Sequence, residues 1–267
     1  MIVGIDIGST TTKAVAMAAD GILCRLKTRA IDAITSATGI IGKLTLEKEV
    51  QIREIERIII TGVGASKIHG DIFAIPTSKV DEITAIGQGA LFLQQRERVL
   101  IANIGTGTAF IEATKERITH LGGTGIGGGT IIGLSKALLK TTDFAHIMKL
   151  AGKGELRQVD LLIGDITDAR ISFLNKEATA ANFGKMLDTA HPEDIALGLI
   201  NLTYQVIGML AVFAAQGKGY DMVVVTGNGS NNRIGQNILG EISRLYPVSF
   251  EYPADAEYAT AIGAALS

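Results

Sequence analysis

Cysteine is almost missing from this sequence. The chain has 267 residues and one cysteine, Cys24, which excludes a disulfide within the chain and any metal site built on a cysteine pair, and points to a reducing compartment, the cytoplasm. An excess of charge of one sign is also lacking. Lys and Arg total 25 against 27 for Asp and Glu, a formal net charge of −2, so the basic footprint that a nucleic-acid partner requires is absent. The four histidines, His69, His120, His146 and His191, are scattered without metal-ligand spacing. Met1 runs directly into Ile2-Val3-Gly4-Ile5-Asp6 with no basic stretch followed by an apolar one, so a secretory leader is not expected. One long apolar stretch, 195–215, has the length of a bilayer-spanning helix. It carries Asn201, Thr203 and Gln205 in its middle, follows the helix-start signal Pro192-Glu193-Asp194 and has no basic flanks; a buried core helix is expected there, not a membrane span.

Glycine is abundant, 32 residues gathered in short clusters beside apolar runs, a pattern of backbone brought close to a ligand. Residues 2–7 and 11–17 read as strands joined by Gly8-Ser9-Thr10, with a third strand from Gly21 to Leu26. Helical spacing over 31–50 precedes a β-branched strand, 57–61, that ends at Gly62-Val63-Gly64; 72–76 reads as another short strand and 82–95 as a helix. A second meander opens with the strand 99–104, turns through Gly105-Thr106-Gly107-Thr108 and continues over 109–113. Asp6-Ile7-Gly8-Ser9-Thr10-Thr11 and Asn103-Ile104-Gly105-Thr106-Gly107-Thr108 thus occupy equivalent places, which implies an internal duplication. After the glycine cluster 122–129 come a helix over 130–139, further helices, the strand 222–226 and terminal helices around 247–250.

Two glycine-hydroxyl loops at matched strand ends supply the converging backbone donors that a phosphate chain needs. Asp6, at the end of an apolar strand, is costly to bury alone, so it holds Mg²⁺ through water or pairs with Lys13. The cluster Gly122-Gly123-Thr124-Gly125-Ile126-Gly127-Gly128-Gly129-Thr130 opens onto Ile131-Ile132-Gly133-Leu134, which would aim helix N-terminal amides at an anion. It is neither a P-loop, lacking Gly-Lys-Ser/Thr, nor a dinucleotide fingerprint. Gly227-Asn228-Gly229-Ser230-Asn231 is a further strand-to-helix turn suited to a ligand. For a carboxylate that takes a proton from an acceptor hydroxyl, the residues offer Asp81 and Glu82, both at a helix start, and spacing does not separate them.

With these residues in place, Gly4-Ile5-Asp6-Ile7-Gly8-Ser9-Thr10 and Asn103 to Thr108 resemble the two phosphate motifs of the acetate and sugar kinase/Hsp70/actin superfamily, and Val223 to Asn232 its adenosine motif. Leu121 to Thr130 and Thr179-Ala180-Ala181-Asn182-Phe183-Gly184 are similar to the type II pantothenate kinases, and the likeness extends to the tail Ala261-Ile262-Gly263-Ala264-Ala265-Leu266. The resemblance implies an α/β fold of duplicated ribonuclease H-like (actin-like ATPase) halves, 1–97 and 98–267, with a nucleotide cleft between them and a last helix that packs back on the first half. It also implies ATP-dependent phosphorylation of pantothenate, the first step of coenzyme A synthesis, by a homodimer using Mg²⁺. Carried over residue by residue, it puts the catalytic base on Glu82, before Ala85-Ile86-Gly87-Gln88-Gly89, rather than Asp81. ATP contacts fall on Asp6, Gly8, Ser9, Thr10, Lys13, Thr106, Gly128, Gly129, Thr130, Ile131, Ile132, Phe144 and Asn228, and substrate contacts on Glu82, His120 and Thr179. Where the family usually carries arginine, this chain has His120, which loses a permanent cation. The opening motif, Thr61-Gly62-Val63-Gly64 and Glu82-Ile83-Thr84 are similar as well to the ATPase activators of 2-hydroxyacyl-CoA dehydratases. Those activators hold an iron–sulfur cluster with two cysteines from each of two subunits, which Cys24 alone does not provide. A nucleotide-sensing module without catalysis would keep the phosphate loops and leave Glu82 idle.

Overall fold

In the computed structural model, which describes residues 1–167 and 176–267, two five-stranded sheets carry the chain. The first contains β1 (Ile2–Ile7), β2 (Thr11–Ala18), β3 (Gly21–Arg29), β4 (Arg57–Thr61) and β5 (Thr77–Lys79), with α1 (Ala33–Lys48) between β3 and β4 and α2 (Glu82–Gln94) following β5. Its order is β3-β2-β1-β4-β5, antiparallel across the meander and parallel across β1, β4 and β5.

The second sheet begins with β6 (Arg98–Ile104), β7 (Thr108–Thr114) and β8 (Ile118–Thr124). A helical excursion follows: α3 (Gly128–Leu139), α4 (Phe144–Ala151), the two-residue strand β9 (Leu161–Leu162), α5 (Ile163–Ile166), β10 (Thr179–Ala181) and α6 (Pro192–Lys218). The chain then returns through β11 (Met222–Thr226), α7 (Arg233–Leu245), β12 (Ser249–Glu251) and α8 (Ala259–Ala265). The order β12-β11-β6-β7-β8, with the same parallel and antiparallel pairings, repeats the first sheet strand for strand. The expected duplication is therefore present in the topology.

Two expectations need correction. Residues 72–76 are not a strand: Ile72 and Ile75 bridge each other around Phe73 and Ala74, whose φ values of 55° and 60° fold the chain into a tight turn, and the strand lies at β5. Residues 249–251 are the edge strand β12 rather than a helix, because Ser249, Phe250 and Glu251 pair in parallel with Met222, Val223 and Val224.

Strand alternation sorts the core into layers. On β6, Leu100, Ala102 and Ile104 pack toward α6 and α7, whereas Val99 and Ile101 pack toward Ile86 and Ala90 of α2. On the first sheet, Ile5, Ala14 and Leu26 meet α1, while Val15 and Met17 meet Ala261, Ile262 and Ala265 of α8. The helix that follows each sheet thus packs on the other sheet. Helix α6 is long and apolar enough by composition to cross a membrane, yet most of its apolar window is buried inside the fold. Its polar residues are satisfied there: Thr203 donates to Leu199 O at 2.8 Å, and Tyr204 donates to Gly229 O at 2.8 Å.

The α2–α8 crossing is so close that glycine is required. A Cβ on Gly263 would stand 1.7 Å from Ala85 O, and one on Gly89 would stand 1.8 Å from Ala259 O. Gly263→Val should therefore cost at least about 3 kcal/mol by overpacking against backbone. Gly240→Ala, on the exposed side of α7 where an added Cβ meets nothing within 4 Å, should gain about 0.5–1 kcal/mol from helix propensity. Urea unfolding of the two variants checks both signs.

Candidate active site

The two phosphate loops face each other. The first turns from β1 into β2 with Gly8 N–H donating to Thr11 O at 3.1 Å, and the second from β6 into β7 with Gly105 N–H donating to Gly107 O at 2.8 Å. Across the cleft the hydroxyls of Ser9 and Thr106 are 2.6 Å apart, and Asn228 Nδ2 donates to Thr11 Oγ1 at 3.0 Å.

Behind each loop the strand-end glycines repeat one arrangement. Gly62 and Gly227 have φ of 87° and 80°. A Cβ on Gly62 would meet Asp6 Oδ1 at 2.6 Å and Ile7 O at 2.8 Å; one on Gly227 would meet Ile104 O at 2.6 Å and Asn103 Oδ1 at 2.9 Å.

The glycine cluster has a different task from the one expected. Gly128 N–H and Gly129 N–H, at the start of α3, donate to Gly105 O and Thr106 O at 2.9 Å each. Those amides brace the second phosphate loop and are not free to receive an anion. A Cβ on Gly127 would fall 2.6 Å from Thr106 O, so the density of glycine reflects backbone packed on backbone. Thr130 completes the brace: Gly127 N–H donates to its Oγ1 at 3.1 Å, and that hydroxyl donates to Gly125 O at 3.0 Å.

Two contiguous cavities occupy the cleft. The first, about 520 Å³, is lined by Gly128, Gly129, Ile131, Ile132, Phe144 and Asn228 among others, and the second, about 870 Å³, by Asp6, Gly8, Ser9, Lys13, Asp81, Glu82 and His120. Thr10, Thr11, Gly105, Thr106 and Asn228 line both. The fold therefore brings together every residue expected at the site except two: Thr130, turned into the loop brace, and Thr179. Thr179 lines neither cavity, because its hydroxyl donates to Asp160 Oδ2 at 3.1 Å. Asp160 is fully buried and also accepts from Asn182 Nδ2, Phe183 N–H and Asn201 Nδ2. Residues 179–184 serve this buried carboxylate on the α6 side of the fold. Sequence reading missed Tyr204, Arg233, Lys27 and Thr260, which reach the cavities from α6, α7, β3 and α8; only the sheet register and helix docking place them there.

The electrostatics separate the candidate carboxylates. Asp81 is the N-cap of α2 and accepts from Thr84 N–H at 3.3 Å. Glu82 is half-buried; burial first, and the Asp81 charge second, raise its pKa above the ordinary value. Asp6 is raised from 3.8 to about 6, chiefly by burial, with Lys13 opposing and Glu82 adding to the rise. Lys13, its partner across the β1–β2 ladder, is lowered by burial. Beside Asp6 on β4 stands Thr61, whose buried hydroxyl has no partner among the described residues, whereas the equivalent Thr226 donates to Asn103 Oδ1 at 2.9 Å.

Twin ribonuclease H-like sheets around a cleft lined by two glycine-hydroxyl loops define an ATPase-fold protein of the actin and hexokinase class. Solved structures agree on the fold. The activator of the 2-hydroxyisocaproyl-CoA dehydratase from Clostridium difficile with bound ADPNP superposes with a TM-score of 0.70 at 17% identity, covering 99% of this chain and 92% of that one. The ROK hexokinase from Thermus thermophilus gives 0.57 at 14%, covering 99% and 97%. In sequence, the Fumble family model matches residues 98–246. The type II pantothenate kinase of Oceanobacillus iheyensis is 32% identical over 78% of this chain and 80% of its own, and that of Bacillus anthracis 28% identical over 99% and 96%. The chain belongs to the type II pantothenate kinase family.

The raised Asp6 has a consequence for stability. Below pH 3.8 both folded and unfolded chains hold its proton, and between about 4 and 6 only the folded chain does, so stability contributed by the protonated form is lost as pH rises through that window. The displacement corresponds to about 2–3 kcal/mol. The unfolding free energy of Asp6→Asn, taken relative to wild type, should grow by that amount from pH 4 to pH 8. A difference constant with pH would show that Asp6 does not carry the proton.

Proposed function

We propose that this chain transfers the γ-phosphoryl group of ATP to the primary hydroxyl of pantothenate, releasing ADP and phosphopantothenate, and so opens coenzyme A synthesis. The observation that carries this reading is the meeting of Glu82 with both phosphate loops in one cavity that continues into an apolar pocket. Family membership supplies the acceptor.

Phosphoryl transfer asks for positioning, charge neutralisation and one base. The adenine end of ATP lies in the cavity lined by Ile131, Ile132 and Phe144, and its phosphates run along Ser9-Thr10 and Thr106, replacing the hydroxyl contact between Ser9 and Thr106. Glu82, made more basic by burial, accepts the hydroxyl proton as that oxygen attacks phosphorus, with basicity shifted toward working pH. Asp81 stays with its capping bond. Among the described residues no group of three or more His, Cys, Asp or Glu forms a metal cage. A single buried carboxylate beside the unpartnered Thr61 hydroxyl fits a Mg²⁺ ion that arrives with the nucleotide and is held largely by phosphate oxygens. When bound, Mg²⁺ neutralises phosphate charge, and Asp6 is the residue that would hold it.

The same reading assigns residues 1–97 and 98–267 as the two halves that close on the nucleotide, a homodimer as the working form and the cytoplasm as its place. The dehydratase-activator reading rests on fold likeness, and Cys24 lies on β3 against the core of the first sheet. A sensing module differs from a kinase in a single respect that is measurable, the need for Glu82.

ATP-dependent phosphorylation of pantothenate by the purified chain tests the assignment. Glu82→Gln should retain ATP binding and lose transfer by about 10²-fold or more; normal transfer by the variant would remove Glu82 from the mechanism, and ATP binding without transfer by wild type would favour a sensor. His120 lines the same cavity, where pantothenate brings a carboxylate. His120→Arg, which supplies a permanent cation, should lower KM for pantothenate about 3–10-fold with kcat little changed, read from initial rates; an unchanged KM would mean that His120 does not face the acceptor.

A further inference from the structure

The register of the first sheet aligns three charged residues. Asp6 pairs with Lys13 across β1 and β2, and Lys13 pairs with Lys27 across β2 and β3. Directly paired residues project from the same face of a sheet, and this is the face that packs on α8. The row therefore runs from the terminal-phosphate cavity, which Asp6 and Lys13 line, to the nucleoside cavity, which Lys27 lines.

Lys27 is held in place. Its ammonium pairs with Glu257 Oε2 at 2.5 Å, in the helical turn that precedes α8, and the Glu257 side chain is only 17% exposed. The neighbouring Arg25 pairs with Asp255 at 2.6 Å in the same turn, but Arg25 lines neither cavity. Two ion pairs of matching construction thus join β3 to the C-terminal segment, and one of them stands at the cleft.

We propose that Lys27 is a further nucleotide-binding residue, whose ammonium, positioned by Glu257, donates to the phosphate nearest the ribose. This rests on the cleft being the nucleotide site. The gateway residues Thr10, Thr11, Gly105, Thr106 and Asn228 line both cavities, so the phosphate chain crosses from one to the other among them. Lys13 faces its far end beside Asp6. Lys27 stands one strand further away, about 5 Å along the ladder, on the nucleoside side, which matches the α-phosphate. A lysine ammonium has three donors, so it keeps one on Glu257 while offering another to a phosphate oxygen.

Calorimetric titration of the full chain with ADP, AMP and adenosine, each with Mg²⁺ and no acceptor, tests the proposal whether or not pantothenate is the substrate. Lys27→Met keeps the stem and removes the charge. It should weaken ADP and AMP about 10-fold or more, the effect of one charge-assisted hydrogen bond, and leave adenosine unchanged; Lys27→Arg should recover most of the loss. Arg25→Met removes the twin ion pair without touching the cavity and should leave ADP affinity at the wild-type value. An equal loss in Arg25→Met would make the effect one of β3 docking and overturn the proposal. An equal loss for adenosine, or none for AMP, would overturn the phosphate assignment.

Discussion

The close crossing of α2 and α8 is the constraint on which the cleft depends. Each helix continues from one sheet and packs on the other, and the pair meets where Gly89 faces Ala259 and Gly263 faces Ala85. Gly4 extends the contact into the first sheet, since a Cβ there would lie 2.1 Å from Ala261 O. Backbone packed on backbone leaves no room for side-chain adjustment, so the separation of the two sheets at this point is fixed by covalent dimensions. Glu82 is the first residue of α2 and Thr260 lies in the first turn of α8; both line the cavity of Asp6 and Lys13. The crossing that holds the sheets together also sets the depth at which Glu82, the proposed base, stands.

Much of the architecture was legible because it rests on local chemistry. Buried strands such as 99–104 are apolar runs broken by a single polar residue near the end, Asn103 here, and the turns after them need glycine and hydroxyl residues, so both phosphate loops and their duplication are visible in the chain. The misread segments are those where tertiary context decides. Residues 72–76 are a short apolar run with β-branched and aromatic members, but Phe73 and Ala74 take left-handed conformations that only the closed turn supports. Residues 249–251 become a strand because β11 offers an open edge. The glycine run 127–129 suggested amides awaiting an anion, whereas its donors serve Gly105 and Thr106; sequence alone does not separate backbone that meets a ligand from backbone that meets another loop. Lys27 was invisible for a related reason: it is fourteen residues from Lys13 along the chain and beside it only through the β2–β3 register.

The duplication makes its own departures informative. Thr61-Gly62-Val63-Gly64 and Thr226-Gly227-Asn228-Gly229 close their strands in the same way: a Cβ on either final glycine would fall 2.3 Å from an isoleucine Cγ2, Ile7 in one half and Ile104 in the other. Where the second half places Asn103, neutral and bonded to Thr226 at 2.9 Å, the first half places Asp6. A neutral amide with a threonine partner is the stable solution for that position, and the second half shows that the fold accommodates it. The first half keeps a charge there instead, with its carboxyl raised to about 6 and the neighbouring Thr61 hydroxyl unpartnered. That choice costs stability above pH 6 in the ligand-free chain, and packing gives no return for it. The Mg²⁺ proposed at Asp6 would supply one: positive charge beside Asp6 favours the ionised carboxylate and draws its pKa back down. The same linkage makes ionised Asp6 and a bound cation mutually stabilising, so affinity for the cation should rise as Asp6 loses its proton. The half that carries Asp6 is also the half that carries Glu82, which sits close enough to raise the Asp6 pKa further. A cation at Asp6 would offset that contribution along with the cost of burial.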